Sequence, residues 1–209
     1  MPPPGPGEVR IRHTAIALNF SDINVRRGGF YLAQPLQFPV ILGNEAAGIV
    51  AACGDGVEDF RPGDRIAYVG SGGPFYEMTG SYAQERNLPA SCLVRLPDDI
   101  SDETAAALLL KGLTAAMIVK RVYRPQPAET ILIHGAAGGV GLILCQWIKH
   151  LGATAIGVVS TKEKAELIRA HGAAHAVVGH DNLVAEVKRI TGGAMVPVVY
   201  DSVGKDTFM

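Results

Sequence analysis

From Glu8 to Pro97 the apolar residues come in short runs broken by glycine and proline: VRIRHTAIAL, FPVILGNEAAGIVAACG, RPGDRIAYVG and SCLVRLP. Runs punctuated in this way predict strands and turns rather than helices. In DGVEDFRPGDRIAY, Arg61-Pro62-Gly63-Asp64 supplies a turn and the apolar residues after it resume a strand, the texture of a compact β-barrel-like domain. The pattern changes at Ser101. SDETAAALLLKGLTAAMIVKRVY opens with Ser101 as an N-cap, places Asp102 and Glu103 at the positive end of a helix, and continues in Ala and Leu. This helix begins the crossing to a second domain. After the proline-bearing linker RPQPAET, TILIH, GGVGLILCQWIKHLG, ATAIGVV, TKEKAELIRAHG, HAVV, DNLVAEVKRITGG and VPVVYDS alternate strand with helix. The strands are β-branched and apolar on both faces, and the helices close at Gly152, Gly172 and Gly192, as parallel α/β units do. The predicted architecture is α/β, with domains over residues 1–123 and 124–209.

Composition narrows the setting. A chain of 209 residues that is 48% hydrophobic can bury a core, and at roughly 150 residues per domain it holds one or two domains. Nineteen basic against twenty acidic residues leave a net charge of −1, so nothing in the balance favours nucleic acid or an anionic membrane. Cys53, Cys92 and Cys145 are odd in number and form no C-x-x-C pair, which suits free thiols in a reducing cytoplasm. The start, MPPPGPGEV, lacks the layout of a signal peptide, and no uncharged apolar run approaches the ~20 residues that span a bilayer.

The candidate chemistry lies in HGAAGGVG, residues His134 to Gly141. In the dinucleotide fingerprint G-x-G-x-x-G the first glycine makes a tight turn, the second admits a pyrophosphate, and the third lets helix pack on strand. Gly138 and Gly141 fill the last two slots, but Ala136 holds the first. The setting is nonetheless the required one: a strand at Ile131–His134, a helix start, and a second strand at Thr154–Val159. Gly135 offers an extra permissive position, and the pyrophosphate is expected over the amides of Gly138, Gly139 and Val140. An NAD-preferring loop places Asp or Glu about 20 residues on. Here that position is Ser160, in VVSTKEK. Like charges ~4 Å apart repel by about 4 kcal/mol at an effective dielectric near 20, so the missing carboxylate favours a 2′-phosphate. Ser160 and Thr161 supply hydrogen bonds and Lys162 or Lys164 positive charge, which predicts NADPH. The alternative is that Thr161 only caps its helix and the lysines are solvated surface; the two roles are compatible.

NFSDINVRRGGFY, LGNEAAGIV, GDRIAY, LLLKGLTA, HGAAGGVGLILCQWIKHLGA, ITGG and VVYDSVGKDTF together resemble the medium-chain dehydrogenase/reductase superfamily, and within it the zinc-independent quinone oxidoreductases similar to zeta-crystallin. The resemblance implies a GroES-like β-barrel catalytic domain followed by a Rossmann doubly wound parallel sheet. Where zinc-dependent members carry catalytic Cys, His and Cys ligands, it places Asn19, Asn44 and Leu110; the four-cysteine structural zinc lobe is absent as well, so no metal is expected. Without a Lewis acid the substrate must be easily reduced, a quinone or an activated enone. The resemblance puts nicotinamide-side contacts in the segment from Asn19, with Phe20, to Asn24 and in a K-G-L-T turn, which makes Asn19, Asp22 and Thr114 the positioning candidates and Lys111 a further one. Asp22 capping a helix and Asn44 bonding local backbone are the structural alternatives. Asn24 and Ala116 stand where many members carry aromatics, implying a wider, more polar substrate pocket. His180 replaces a tyrosine near the adenosine, beside a short deletion, or is a surface-loop histidine. Ser202 matches a contact after the fourth strand.

The chain stops after the fourth strand of a sheet that has order 3-2-1-4-5-6, and MPPPGPGEV resembles an internal approach to the barrel. Both domains are therefore expected to be incomplete, the second holding only its first four strands, as in a fragment or truncated product. The leading expectation is an NADPH-dependent quinone oxidoreductase whose full-length relatives form homodimers. The alternatives are an enoyl reductase of the same superfamily and an inactive or purely binding paralogue.

Overall fold

A computed structural model describes residues 1–28, 39–70 and 80–207. Gly29, Phe30 and Tyr31 of the first matched stretch, Phe38 at the head of FPVIL, and Phe208 lie outside them. The chain divides into two compact units, Met1–Leu110 and Lys111–Met209. The division falls inside a helix rather than at the proline linker near residue 124.

The first unit carries β1 (Glu8–Ile16), the short helix α1 (Phe20–Arg26), β2 (Glu45–Cys53), β3 (Arg65–Val69), β4 (Glu85–Pro89) and β5 (Leu93–Arg95). The strands form an antiparallel sheet in the order β4-β1-β2-β3-β5. Its two edge strands are joined by the three-residue turn Ala90–Cys92. Four Cα steps reach at most about 14 Å, whereas the edges of a flat five-stranded sheet lie about 19 Å apart. The sheet must therefore roll toward a barrel around Val9, Ile11, Val50, Ile66, Tyr68 and Leu88. The turn read from Arg61-Pro62-Gly63-Asp64 is present, with Gly63 at φ 96° and the Arg61 amide donating to the Asp64 carboxylate at 2.9 Å. FPVIL is not strand over its described residues; β2 starts later, at Glu45.

Helix α2 (Asp102–Met117) comes next, with the Ser101 hydroxyl accepting from the Thr104 amide at 3.1 Å, as its sequence predicted. The expected K-G-L-T turn is a correction: Lys111, Gly112, Leu113 and Thr114 lie within this helix, carried through by the Ala/Leu run on either side.

The second unit alternates β6 (Thr130–Ile133), α3 (Gly139–His150), β7 (Thr154–Val159), α4 (Lys162–Ala170), β8 (His175–Val178), α5 (Leu183–Ile190) and β9 (Val198–Tyr200). Its sheet is parallel, in the order β8-β7-β6-β9, the 3-2-1-4 portion of the doubly wound order. Alternate residues bury both faces: Ile131 and Ile133 join Leu144, Ile148 and Ile168 on one side, while Leu132, Ile156 and Val158 meet Val187 on the other. The helices close where Gly152, Gly172 and Gly192 adopt φ of 76°, 99° and 61°, the left-handed conformation that favours glycine. Cys145 is fully buried in α3, and burial pushes its thiol up to about 11. Iodoacetamide at pH 8 is therefore expected to alkylate Cys53 and Cys92 in the native chain while Cys145 stays unmodified until urea unfolds it; peptide mass spectrometry reads the order. Among the described residues no helix is long and apolar enough to cross a membrane.

Candidate functional site

The loop between β6 and α3 accounts for the alanine in its fingerprint. Gly135, not residue 136, takes the left-handed conformation, at φ 62°. Ala136 is fully buried, its amide donates to the Val158 carbonyl at 3.2 Å, and its methyl group fills the space beside Gly157, where an added Cβ would lie 2.8 Å from it. The permissive residue has moved one place earlier, and the vacated slot packs against the next strand.

Gly138 caps α3 in an extended conformation, and Leu142 donates the helix's first bond, to the Gly138 carbonyl at 2.9 Å. The amides of Gly139, Val140 and Gly141 precede that bond as the N-terminal donors of the helix, a setting that attracts phosphate. Close packing fixes two of these glycines. A Cβ at Gly141 would lie 2.6 Å from the carbonyl oxygens of both Gly135 and Ala136, and one at Gly139 would lie 2.6 Å from Cδ of Lys111. The latter contact, which sequence reasoning did not find, brings the stem of Lys111 across the start of α3.

Beside the loop opens a cavity of about 340 Å³ lined by Gly135, Gly138, Ser160, Lys164, His180 and Val203, among others. Ser160 sits at the end of β7, and Lys164 Nζ donates to its hydroxyl at 2.9 Å. Thus four residues nominated from far-apart motifs, Gly138, Ser160, Lys164 and His180, share one cavity. Others do not line it. Thr161 caps α4 by accepting from the Lys164 amide at 3.3 Å, and a hydrogen bond from Thr161 helps hold the Glu163 carboxyl below its usual range. Lys162 is exposed on the first turn of α4. Ser202 lines a different cavity, of about 210 Å³, with Tyr200 and Asp201.

In the first unit Asn19, Asp22, Asn44 and Glu45 are all buried and form one polar cluster. Asp22 accepts three bonds at 2.8 Å, from the Asn19 amide, the Asn44 side-chain amide and the Tyr82 hydroxyl. The capping alternative for Asp22 therefore holds, since Asn19 is the N-cap of α1. Asn44 bonds this carboxylate rather than local backbone. Burial first, and then Asp22, push the Tyr82 phenol far above its ordinary value. The Glu45 carboxylate accepts from Asn19 Nδ2 at 2.9 Å and from the Leu110 amide at 2.5 Å. Phe20, at the start of α1, is 72% exposed. Thr114 is half-buried on α2 in the second unit. His13 is not a free base: its Nδ1–H donates to the Ala83 carbonyl at 2.6 Å, so Nε2 accepts from the Tyr68 hydroxyl at 2.8 Å.

A zinc does not fit the positions where the superfamily's zinc enzymes hold one. Asn19 and Asn44 turn their NH₂ groups, which are donors, toward carboxylates, and Leu110 has no ligand atom in its side chain. Among the described residues no group of three or more His, Cys, Asp or Glu is placed to hold a metal.

Comparisons with known proteins agree with both units. Residues 5–98 match the family model of the alcohol dehydrogenase GroES-like domain, and residues 139–209 match that of the zinc-binding dehydrogenases. A quinone oxidoreductase of Pseudomonas aeruginosa is 49% identical over 206 residues, 98% of this chain and 61% of that protein. A 2-haloacrylate reductase of Burkholderia sp. is 45% identical over 98% of this chain and 60% of its own length. The crystal structure of Escherichia coli quinone oxidoreductase complexed with NADPH superposes with a TM-score of 0.90 at 43% identity, covering 99% of this chain and 61% of that one. The chain thus spans about 60% of the length of the relatives it matches. With a rolled antiparallel unit, a 3-2-1-4 parallel sheet and these likenesses together, the chain belongs to the medium-chain dehydrogenase/reductase superfamily.

Proposed function

We propose that this chain forms the larger part of an NADPH-dependent, metal-independent quinone oxidoreductase. The observation that carries the reading is the end of β7, where Ser160 and Lys164 face the cavity beside the glycine loop in the place where an NAD-preferring site holds a carboxylate. The NADPH complex of the Escherichia coli relative supports it. Ser160, Lys164 and His180 would hold the adenosine end of the cofactor, and the amides at the start of α3, with Lys111 near them, its pyrophosphate. When bound, NADPH supplies the hydride, and the protein positions the ring and excludes water. Asn19 and Thr114 are assigned to the nicotinamide end. Asp22, its carboxylate committed to three donors, is a positioning residue that holds Asn19. The free cysteines and balanced charge support a cytoplasmic setting, and a homodimer of the longer protein belongs to the same proposal.

Fluorescence titration of the 209-residue chain with NADPH and NADH tests the cofactor half. NADPH is expected to bind at least tenfold more tightly, a difference of about 1.4 kcal/mol, and equal affinities would overturn it. A second reading, reduction of a conjugated double bond, is favoured by the 2-haloacrylate reductase relative. Turnover of 2-chloroacrylate but not of a small quinone by the chain extended to its relatives' length would select it.

A further inference from the structure

His180 does not stand alone at the rim of the cavity. Its ring lies on that of His134, with centroids 5.4 Å apart and planes inclined by 22°. The two differ in environment. His134, at the end of β6, is buried at 5% exposure and its Nδ1 has no hydrogen-bond partner among the described residues, whereas His180, after β8, is exposed and lines the cavity with Lys164 and Ser160. Burial pushes the His134 imidazole below its ordinary value; Asp201 opposes that and His180 adds to it. Burial also works against the Asp201 carboxylate, but bonds from Thr207, Val203 and Gly204 outweigh it and keep that carboxyl below the usual range. Among the described residues, Asp201 after β9 acts on His134 and Lys164 on α4 lines the cavity with His180; Asp181 follows His180 in the chain but lines a different cavity.

We propose that the stacked pair makes recognition of the adenosine 2′-phosphate pH-dependent: His180 takes up a proton as the phosphate enters beside Lys164, while His134 beneath it stays neutral and holds the ring. Two imidazolium rings in this contact would repel each other, so one proton is shared out unequally, and burial assigns it to the exposed partner. The sign comes from linkage. A dianionic ligand favours the protonated ring, so affinity for the 2′-phosphate rises as pH falls from 8 to 6. An imidazole whose proton affinity increases tenfold beside a phosphate contributes about a sixfold gain in binding over that interval. The phosphate's own second proton, with a pKa near 6, pulls the other way in every variant, so the comparison must be made against a chain lacking the imidazole.

The inference rests on the NADPH reading, and its test separates the two. Adenosine 2′,5′-bisphosphate and 5′-AMP are titrated calorimetrically into the chain and into His180→Gln at pH 8, 7 and 6. The wild-type preference for the bisphosphate is expected to grow about sixfold more toward pH 6 than that of His180→Gln. Parallel profiles in the two chains would overturn the inference and leave NADPH binding intact. No preference for the bisphosphate at any pH would overturn both. An independent readout is the His180 ring proton followed by NMR: its titration midpoint is expected to move up on adding the bisphosphate and not on adding 5′-AMP, and an unmoved midpoint counts against the proposal.

Discussion

Gly141→Ala is expected to destabilise the second unit and to abolish tight NADPH binding, although intrinsic propensity points the other way. Alanine in a helix is favoured over glycine by about 1 kcal/mol. Against this, the new methyl group would lie 2.6 Å from two carbonyl oxygens and 2.7 Å from the carbonyl carbon of Ala136. These are backbone atoms and have little room to retreat. Ala136 is tied to the Val158 carbonyl at 3.2 Å, and its methyl is already wedged beside Gly157. The start of α3 must lift instead, at the cost of about 1–3 kcal/mol typical of overpacked sites. Lifting it displaces the amides of Gly139, Val140 and Gly141 from any phosphate they hold, so cofactor affinity is expected to fall more than tenfold. Trp147, the one tryptophan of the chain, lies in the same helix, and its fluorescence during urea unfolding reports the change directly. A midpoint equal to or above the wild-type value would show that the helix tolerates the methyl group. Ala136→Gly, which restores the ideal fingerprint, serves as the contrast: it empties a filled space and is expected to lower stability slightly rather than improve it.

The same loop shows which features were legible in the sequence. Gly63, Gly152, Gly172 and Gly192 stand in the sequence as turn or helix ends and all have positive φ, because their role depends on local backbone alone. The β6-to-β9 alternation was legible for a similar reason: β-branched strands and amphipathic helices carry their period with them. Ser160, Lys164 and His180 line one cavity because in a βαβ unit the residues just past each strand's carboxyl end gather along one edge of the sheet. Other features depended on partners far away in the chain. Asn44 meets Asp22, 22 residues away in the sequence, and Tyr82 meets it from 60 residues away; no periodicity announces either bond. The turn at Lys111 to Thr114 is implied by the family resemblance alone; the Ala/Leu pattern on either side reads as helix, and α2 runs straight through. Thr161 shows the opposite case, a residue with two plausible roles of which the capping one is local and is the one observed.

Asp22→Ala is expected to cost more stability than any other change in the first unit's polar cluster. It removes one acceptor side chain from three donors at once: the Asn19 amide, Asn44 Nδ2 and the Tyr82 hydroxyl. Asn19 and Asn44 are buried, at 6% and 1% exposure, while Tyr82 is 39% exposed. The Tyr82 hydroxyl can turn to water, but the other two donors cannot. Each buried donor left unmade costs about 1–3 kcal/mol, so a total loss of about 3–5 kcal/mol is expected, in the range seen when one member of a buried charged network is deleted. Two milder variants rank the causes. Asp22→Asn keeps one acceptor oxygen and is expected to lose about half as much, and Tyr82→Phe, which removes only the half-exposed donor, about 1 kcal/mol. Urea unfolding followed by far-ultraviolet circular dichroism measures the order. If Asp22→Asn proved as damaging as Asp22→Ala, negative charge rather than the count of acceptors would be what holds the cluster. If instead Asp22→Ala left stability unchanged, the carboxylate would not be what positions Asn19.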